Sequence, residues 1–239
     1  MIARGCAYDA THKYLRLTMI PSTEEKTMNK ATAVTCLFLD IGGVILTNGW
    51  DRHARKRAAA NFELDLAEME ERHHITFEVY ERGKLTIEEY LGLVVFYKER
   101  PFTLSQFREF MFAQSKPYPE MITLLCQVKA RHRLKIVAVS NEARELNAYR
   151  IREFKLGGFV DAFVSSCFVR VRKPDADIFR LALDIAQVPK EQVVYIENTQ
   201  MFVQIAESLG IRSIAHTDYQ STLTQLASFG LHLNEEIST

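Results

Sequence analysis

Four short apolar, β-rich runs, each closing on a polar residue, constrain this chain more than any other feature. Val34 to Leu39 closes on Asp40, Leu134 to Val139 on Ser140-Asn141, Val193 to Ile196 on Glu197-Asn198, and Ile211 to Ala215 on His216. Apolar runs this short, bounded by turn residues, read as buried strands. Between them stand stretches with helical periodicity, roughly 119 to 132, 142 to 155, 175 to 187 and 200 to 209, the last stopping at Leu209-Gly210. Strand alternating with helix predicts an α/β fold: a Rossmann-like parallel sheet with helices on both faces.

One stretch breaks the alternation. From Trp50 to Lys116 the apolar and charged residues keep helical spacing over about 51 to 81, 86 to 98 and 103 to 113, with turn signals near Gly83 and Pro101. That is too much helix for one crossover, so a small α-helical cap domain is expected at 50–116, inserted into a core formed by 34–49 and 117–239. Residues 1–33, ending in a polar run, read as an N-terminal tail.

Composition narrows the function. With 239 residues, 47% of them hydrophobic, the chain can bury a full core. Thirty basic against 30 acidic residues give no long-range pull toward nucleic acid or an anionic membrane, which leaves a small diffusible molecule as the expected partner. Cys6, Cys36, Cys126 and Cys167 stand far apart, without the spacing of a disulfide framework or a zinc site, and fit a reducing cytoplasm. No apolar stretch is long enough to span a bilayer. The sequence does not specify an oligomeric state.

In parallel α/β sheets ligands bind beyond the carboxyl ends of the strands, where loops and helix N-termini converge. Asp40, Ser140 and Glu197 are expected at that edge, joined by Lys173 ahead of the helix that Pro174-Asp175 opens. A carboxylate can attack phosphorus once its charge and that of the phosphate are screened, which makes Asp40 the candidate nucleophile. Screening calls for a hard cation with oxygen ligands, so Mg²⁺ is the expected cofactor, with Asp40, the Gly42 carbonyl, Glu197 and Asn198 as candidate ligands. Ser140, the backbone beside Asn141, and Gly43 are candidate phosphate-binding groups, and Lys173 offsets negative charge.

These residues resemble the motifs of the haloacid dehalogenase-like (HAD) hydrolase superfamily over about residues 34 to 216. Asp40-Ile41-Gly42-Gly43-Val44 resembles its first motif, D-x-D-x-[TV], and Val137 to Asn141 its second. Arg172-Lys173-Pro174-Asp175 carries the lysine of the third, and Glu197-Asn198 the position of the paired acids of the fourth. The helical insert is similar to the cap of members that act on small molecules. The resemblance implies a Mg²⁺-dependent phosphohydrolase that forms an aspartyl-phosphate on a small phosphate monoester.

Two departures stand out. The resemblance places a second acid, the usual proton donor, where this chain has Gly42; Glu142, His53 and water are the open substitutes. Glu197 and Asn198 replace two aspartates, lowering the charge offered to a metal. Two rival functions follow: a metal-free 2-haloacid dehalogenase, or a binding or regulatory protein that has lost turnover.

Several residues carry simpler structural readings. Ser140-Asn141 can cap the next helix, and Gly42-Gly43 can serve a tight turn. His73-His74, adjacent on a helix, are expected on the exposed surface. Phe96, Tyr97, Phe102, Phe107, Phe110 and Phe112 are expected to pack the cap.

Overall fold

A computed structural model describes residues 32–233, so Cys6 and the predicted tail, except Thr32 and Ala33, lie outside the described residues. Five parallel strands form one sheet in the order β3-β2-β1-β4-β5: β1 Cys36–Leu39, β2 Lys135–Ser140, β3 Ala162–Ser165, β4 Val193–Glu197 and β5 Arg212–Ala215. The chain builds outward from β1 to β2 and β3, then returns across β1 to add β4 and β5. That reversal leaves a crevice between the carboxyl ends of β1 and β4, the place where open α/β sheets bind ligands.

The alternation of side chains along each strand divides the core into two layers. Leu37 and Leu39 join Ile136, Ala138, Val194 and Ile196 on one face, covered by α5 (Pro119–His132) and α10 (Tyr219–Ser228). Cys36 and Phe38 join Val137, Val139, Val193 and Tyr195 on the other, covered by α8 (Asp177–Ala186) and α9 (Gln200–Ser208). α6 (Arg144–Glu153) and the short α7 (Ser166–Val169) follow β2 and β3. Cys36, Cys126 and Cys167 are free thiols.

Between β1 and β2 run α1 (Arg52–Asn61), α2 (Leu66–Glu81), α3 (Ile87–Val94) and α4 (Leu104–Ala113). The stretch predicted as one helix over 51 to 81 is two, because Glu63 takes the left-handed conformation (φ 50°) and Asp65 caps a new start through Glu68 N. Thr86 and Thr103 each form a capping box, with Glu89 and Gln106, which fixes where α3 and α4 begin. The four helices share an apolar cluster that includes Trp50, Tyr90, Phe107 and Met111 and continues into Ala143 and Leu146 beside β2. Phe96, Phe102, Phe107 and Phe110 pack within that cluster, Tyr97 lies under the Arg72 guanidinium, and Phe112 stacks on Tyr149.

Both crossings into this insert are tied down at one place. Thr47 N donates to Lys116 O (2.8 Å), Lys116 N to Thr47 Oγ1 (3.0 Å), and Thr47 Oγ1 to Gln114 O (2.8 Å). Arg150, 2% exposed, reaches the same junction from α6, donating to Ser115 Oγ (2.9 Å) and Thr47 O (3.2 Å) while pairing with Glu142 (2.7 Å). Gly49 must be glycine here, since a Cβ would meet Arg150 Nη2 at 1.8 Å and its φ is +71°. Among the described residues no helix is long and apolar enough to cross a membrane.

Candidate functional site

Register alone brings the first two acids together. Leu39 pairs with Ile196 across β1 and β4, and Asp40 N donates to Ile196 O (3.0 Å), so Asp40 and Glu197 leave neighbouring strands side by side. Lys173, 1% exposed, enters from the loop before α8 and donates Nζ to Asp40 Oδ1 (2.7 Å), Glu197 Oε2 (2.6 Å) and Tyr195 OH (3.0 Å). Tyr195 in turn donates a short hydrogen bond to Glu197 Oε2, and Glu197 Oε1 accepts from Thr199 N (2.8 Å). All four side chains are at least nine-tenths buried.

Burial pushes the Asp40 carboxyl up to about 6; the Glu197 charge adds to this, while Lys173 and Ser140 oppose it. Burial alone would lower the Lys173 ammonium, but the charges of Asp40 and Glu197 outweigh it and its pKa is raised. The lysine therefore stays charged, with its Nζ also 5.0 Å from the centre of the Phe202 ring. Tyr195, buried beside two carboxylates, is raised well above the ordinary phenol value and keeps its proton.

Lys173 is held by its own backbone. Asn141 Nδ2 donates to Lys173 O (2.8 Å), and Lys173 N donates back to Asn141 Oδ1 (2.8 Å). The Asn141 side-chain amide thus clamps the lysine loop. Nor do Ser140 and Asn141 cap α6: its N-cap is Ala143, which makes no side-chain cap bond. Ser140 Oγ instead donates to Glu142 Oε1 (3.3 Å).

The glycine pair closes a tight loop. Gly43 N donates to Leu46 O (2.6 Å), and Ile45 N and Leu46 N both reach Ile41 O (3.1 and 3.0 Å). Gly43, a candidate phosphate-binding residue by sequence, commits its N–H to this turn and does not line the cavity. Its φ is +79°, and an added Cβ would lie 2.2 Å from Asn198 Nδ2. Gly43→Ala is expected to destabilise the fold by about 1–3 kcal/mol through backbone strain, with the clash adding to it. Thermal unfolding checks this; a midpoint equal to the parent's would show that the turn tolerates a side chain.

One terminal atom of the Asn198 amide lies 3.1 Å from Gly42 O and 3.0 Å from Glu197 Oε1. With nitrogen there, it donates to both. Two carboxylates, a backbone carbonyl and an amide suit a hard cation that keeps several waters, so the residues fit Mg²⁺. Among the described residues there is no cluster of three or more His, Cys, Asp or Glu for a richer metal site.

Asp40, Gly42, Ser140, Asn141, Lys173, Glu197 and Asn198 line one cavity of about 340 Å³, and the helical insert supplies its opposite wall. That wall includes Trp50, Arg52, Arg55, His73, Phe77 and Glu81. His73 is not the exposed residue its sequence context predicts: it is half-buried on α2, with Nδ1 2.8 Å from Tyr90 OH. Burial, with Arg55 adding, lowers it to about 4, so it is neutral near pH 7. His74 is exposed, as expected. His53 is exposed on α1 and does not line the cavity, and Glu142 is engaged by Arg150 and Ser140. Neither stands free as a replacement for an acid at Gly42. Sequence reading missed Tyr195, Glu81 and Arg150. Tyr195 alternates with Glu197 along β4, so its ring faces the same side of the sheet and was legible as the inward neighbour of that acid.

The sequence matches the haloacid dehalogenase-like hydrolase family over residues 34–210. No curated protein matches the chain. Solved structures of similar fold include the HAD family enzyme BT-2542 of Bacteroides thetaiotaomicron, crystallised with magnesium and inorganic phosphate. It is 18% identical with a TM-score of 0.66, over 80% of this chain and 99% of that one. A HAD-like family hydrolase of Porphyromonas gingivalis is 19% identical (TM-score 0.65; 81% and 98% covered). L-2-haloacid dehalogenase of Xanthobacter autotrophicus, with chloropropionic acid covalently bound, is 16% identical (TM-score 0.55; 85% and 90% covered). The order of strands, the polar strand ends and the family match over three-quarters of the chain agree: this protein belongs to the haloacid dehalogenase-like hydrolases.

Proposed function

We propose that the protein is a Mg²⁺-dependent phosphohydrolase of small phosphate monoesters. The observation that carries this reading is the buried Asp40 carboxylate at the end of the central strand, held on one oxygen by Lys173 in a cavity it shares with Gly42, Glu197 and Asn198. Asp40 and Glu197 with the single ammonium of Lys173 put one net negative charge at the strand ends themselves, which repels a phosphate dianion. A divalent ion held by Asp40, the Gly42 carbonyl, Glu197 and Asn198 would reverse that sign and polarise the phosphoryl oxygens. Asp40 then attacks phosphorus, the ester P–O bond breaks as the leaving oxygen gains a proton, and water cleaves the aspartyl-phosphate to release inorganic phosphate. Lys173 balances charge on Asp40 throughout, and the helical insert screens the reacting groups from solvent. The magnesium and phosphate complex of BT-2542 supports this reading by likeness of fold.

A second reading, metal-free dehalogenation, is favoured by Lys173 alone, which already bonds both carboxylates without a cation. One assay separates the two. Phosphate release from 4-nitrophenyl phosphate and a panel of phosphate esters is expected with millimolar Mg²⁺, to fall by about 10²-fold or more when the metal is chelated, and to return on adding Mg²⁺. Chloride release from 2-chloropropionate without metal would replace this reading with the dehalogenase. Neither product, with tight binding of Mg²⁺ and phosphate, would point to a binding protein.

A further inference from the structure

The leaving oxygen of a phosphate ester needs a proton, and Gly42 has none to give. The cavity holds several other titratable side chains, most of them committed elsewhere, and burial raises the Tyr80 phenol well above its ordinary value, so it holds its proton tightly. Glu197 is taken by Lys173, Tyr195 and Thr199 N, Glu142 by Arg150 and Ser140, and Asp51 accepts Ala54 N at the start of α1. His73 carries no ionisable proton near neutrality.

We propose that Glu81, the last residue of α2 and a wall of the cavity, is the proton donor to the leaving group. This inference rests on the phosphohydrolase reading. It assigns the insert a catalytic residue as well as a screening role.

Glu81 is fixed where the insert docks on the core. Its carbonyl accepts Ser166 Oγ (2.7 Å), the Arg82 and Gly83 carbonyls accept Arg170 Nη1, and Gly83 packs so closely that a Cβ would lie 2.4 Å from Cys167 O. Its carboxyl is fixed on one side only. Arg172 reaches Oε2 through Nε (2.9 Å) and Nη2 (2.8 Å), while Oε1 makes no hydrogen bond among the described residues. Arg172 is followed directly by Lys173, so one short loop grips both the proposed acid and the proposed nucleophile. The side chain keeps 28% of its surface exposed, which leaves it reachable from the cavity.

The surroundings favour a carboxyl that can carry a proton. Burial raises Glu81, with the Glu142 charge adding to it, and Arg172 and Lys173 pull against this without cancelling it. The proton balance closes over a cycle. Glu81 gives its proton to the leaving oxygen as the P–O bond breaks, Arg172 steadies the carboxylate, and the carboxylate recovers a proton from the water that attacks the aspartyl-phosphate.

The test compares the parent and Glu81→Gln on an alkyl phosphate and on 4-nitrophenyl phosphate, with Mg²⁺ present. kcat/KM reports the first phosphoryl transfer only, and 4-nitrophenolate leaves without protonation. Glu81→Gln is expected to lose about 10²-fold or more in kcat/KM on the alkyl ester and only a few-fold on the nitrophenyl ester. Glutamine keeps an oxygen for Arg172, so unfolding midpoints should match. Glu81→Asp, which retains an acid but draws it back, should show the same leaving-group pattern with a smaller loss. Equal losses on the two esters, or none, would overturn the assignment. A parent that releases phosphate from neither ester would instead refute the phosphohydrolase reading beneath it.

Discussion

Asp40→Asn is expected to lower phosphate release by roughly 10³-fold or more, the scale on which enzymes lose turnover when a covalent nucleophile is removed. The substitution is nearly isosteric, and its amide oxygen can still accept from Lys173 Nζ, so the site should keep its shape. What disappears is the anion that attacks phosphorus and one of the charges that would hold a divalent ion. The loss should therefore fall on every ester alike, whatever its leaving group, which separates this variant from Glu81→Gln. Rates on a nitrophenyl and an alkyl ester, with thermal unfolding as a check on folding, decide it. A variant that keeps a tenth or more of the parent's rate would remove Asp40 from the role of nucleophile.

Arg150→Met should produce the largest loss of stability, about 3–5 kcal/mol, because removing one partner of a buried ion pair leaves the other charged and unpaired. Glu142 and Arg150 are 3% and 2% exposed, and their 2.7 Å contact is the charge-bearing part of a wider set. The guanidinium also holds Ser115 and Thr47, the two points where the chain leaves and re-enters the core around the helical insert. Methionine fills much of the volume but can donate to none of these oxygens. At about 2–4 °C per kcal/mol for a domain of this size, the unfolding midpoint should drop by roughly 10 °C. Combining it with Glu142→Leu, which removes the stranded carboxylate, should recover part of the loss. A single variant within about 1 kcal/mol of the parent would show that the junction is held by Thr47 and its backbone bonds instead.

The core was legible from sequence because burial leaves a local mark. β1, β2 and β4 are mostly apolar runs that end on or just before a polar residue, and hydrophobic periodicity depends only on neighbours along the chain. The same property put Asp40, Ser140 and Glu197 at strand ends, since parallel strands that share a sheet direct their carboxyl ends to one edge. β3 carried no such mark. Ala162–Ser165 is four residues long, two of them only partly buried, and follows Leu156-Gly157-Gly158, which reads as a turn. α10, with Thr, Gln and Ser through most of its length, likewise has little apolar stripe to detect.

What no local pattern could supply was the meeting of polar groups far apart in sequence. Glu81, His73 and Arg150 stand on helices among other charged residues, where one-dimensional reading places them in solvent. They become cavity wall or buried tether only because the insert docks over the strand ends. Lys173 reaches Asp40 across 133 positions, and Arg150 reaches Thr47 across 103. Sequence marked the central strands and the acids that stand at their ends, because the burial pattern of a strand is written between near neighbours along the chain. The tertiary structure alone decided which charges face one another, because Coulomb forces and hydrogen bonds depend on distance in space, and distance along the chain says little about that.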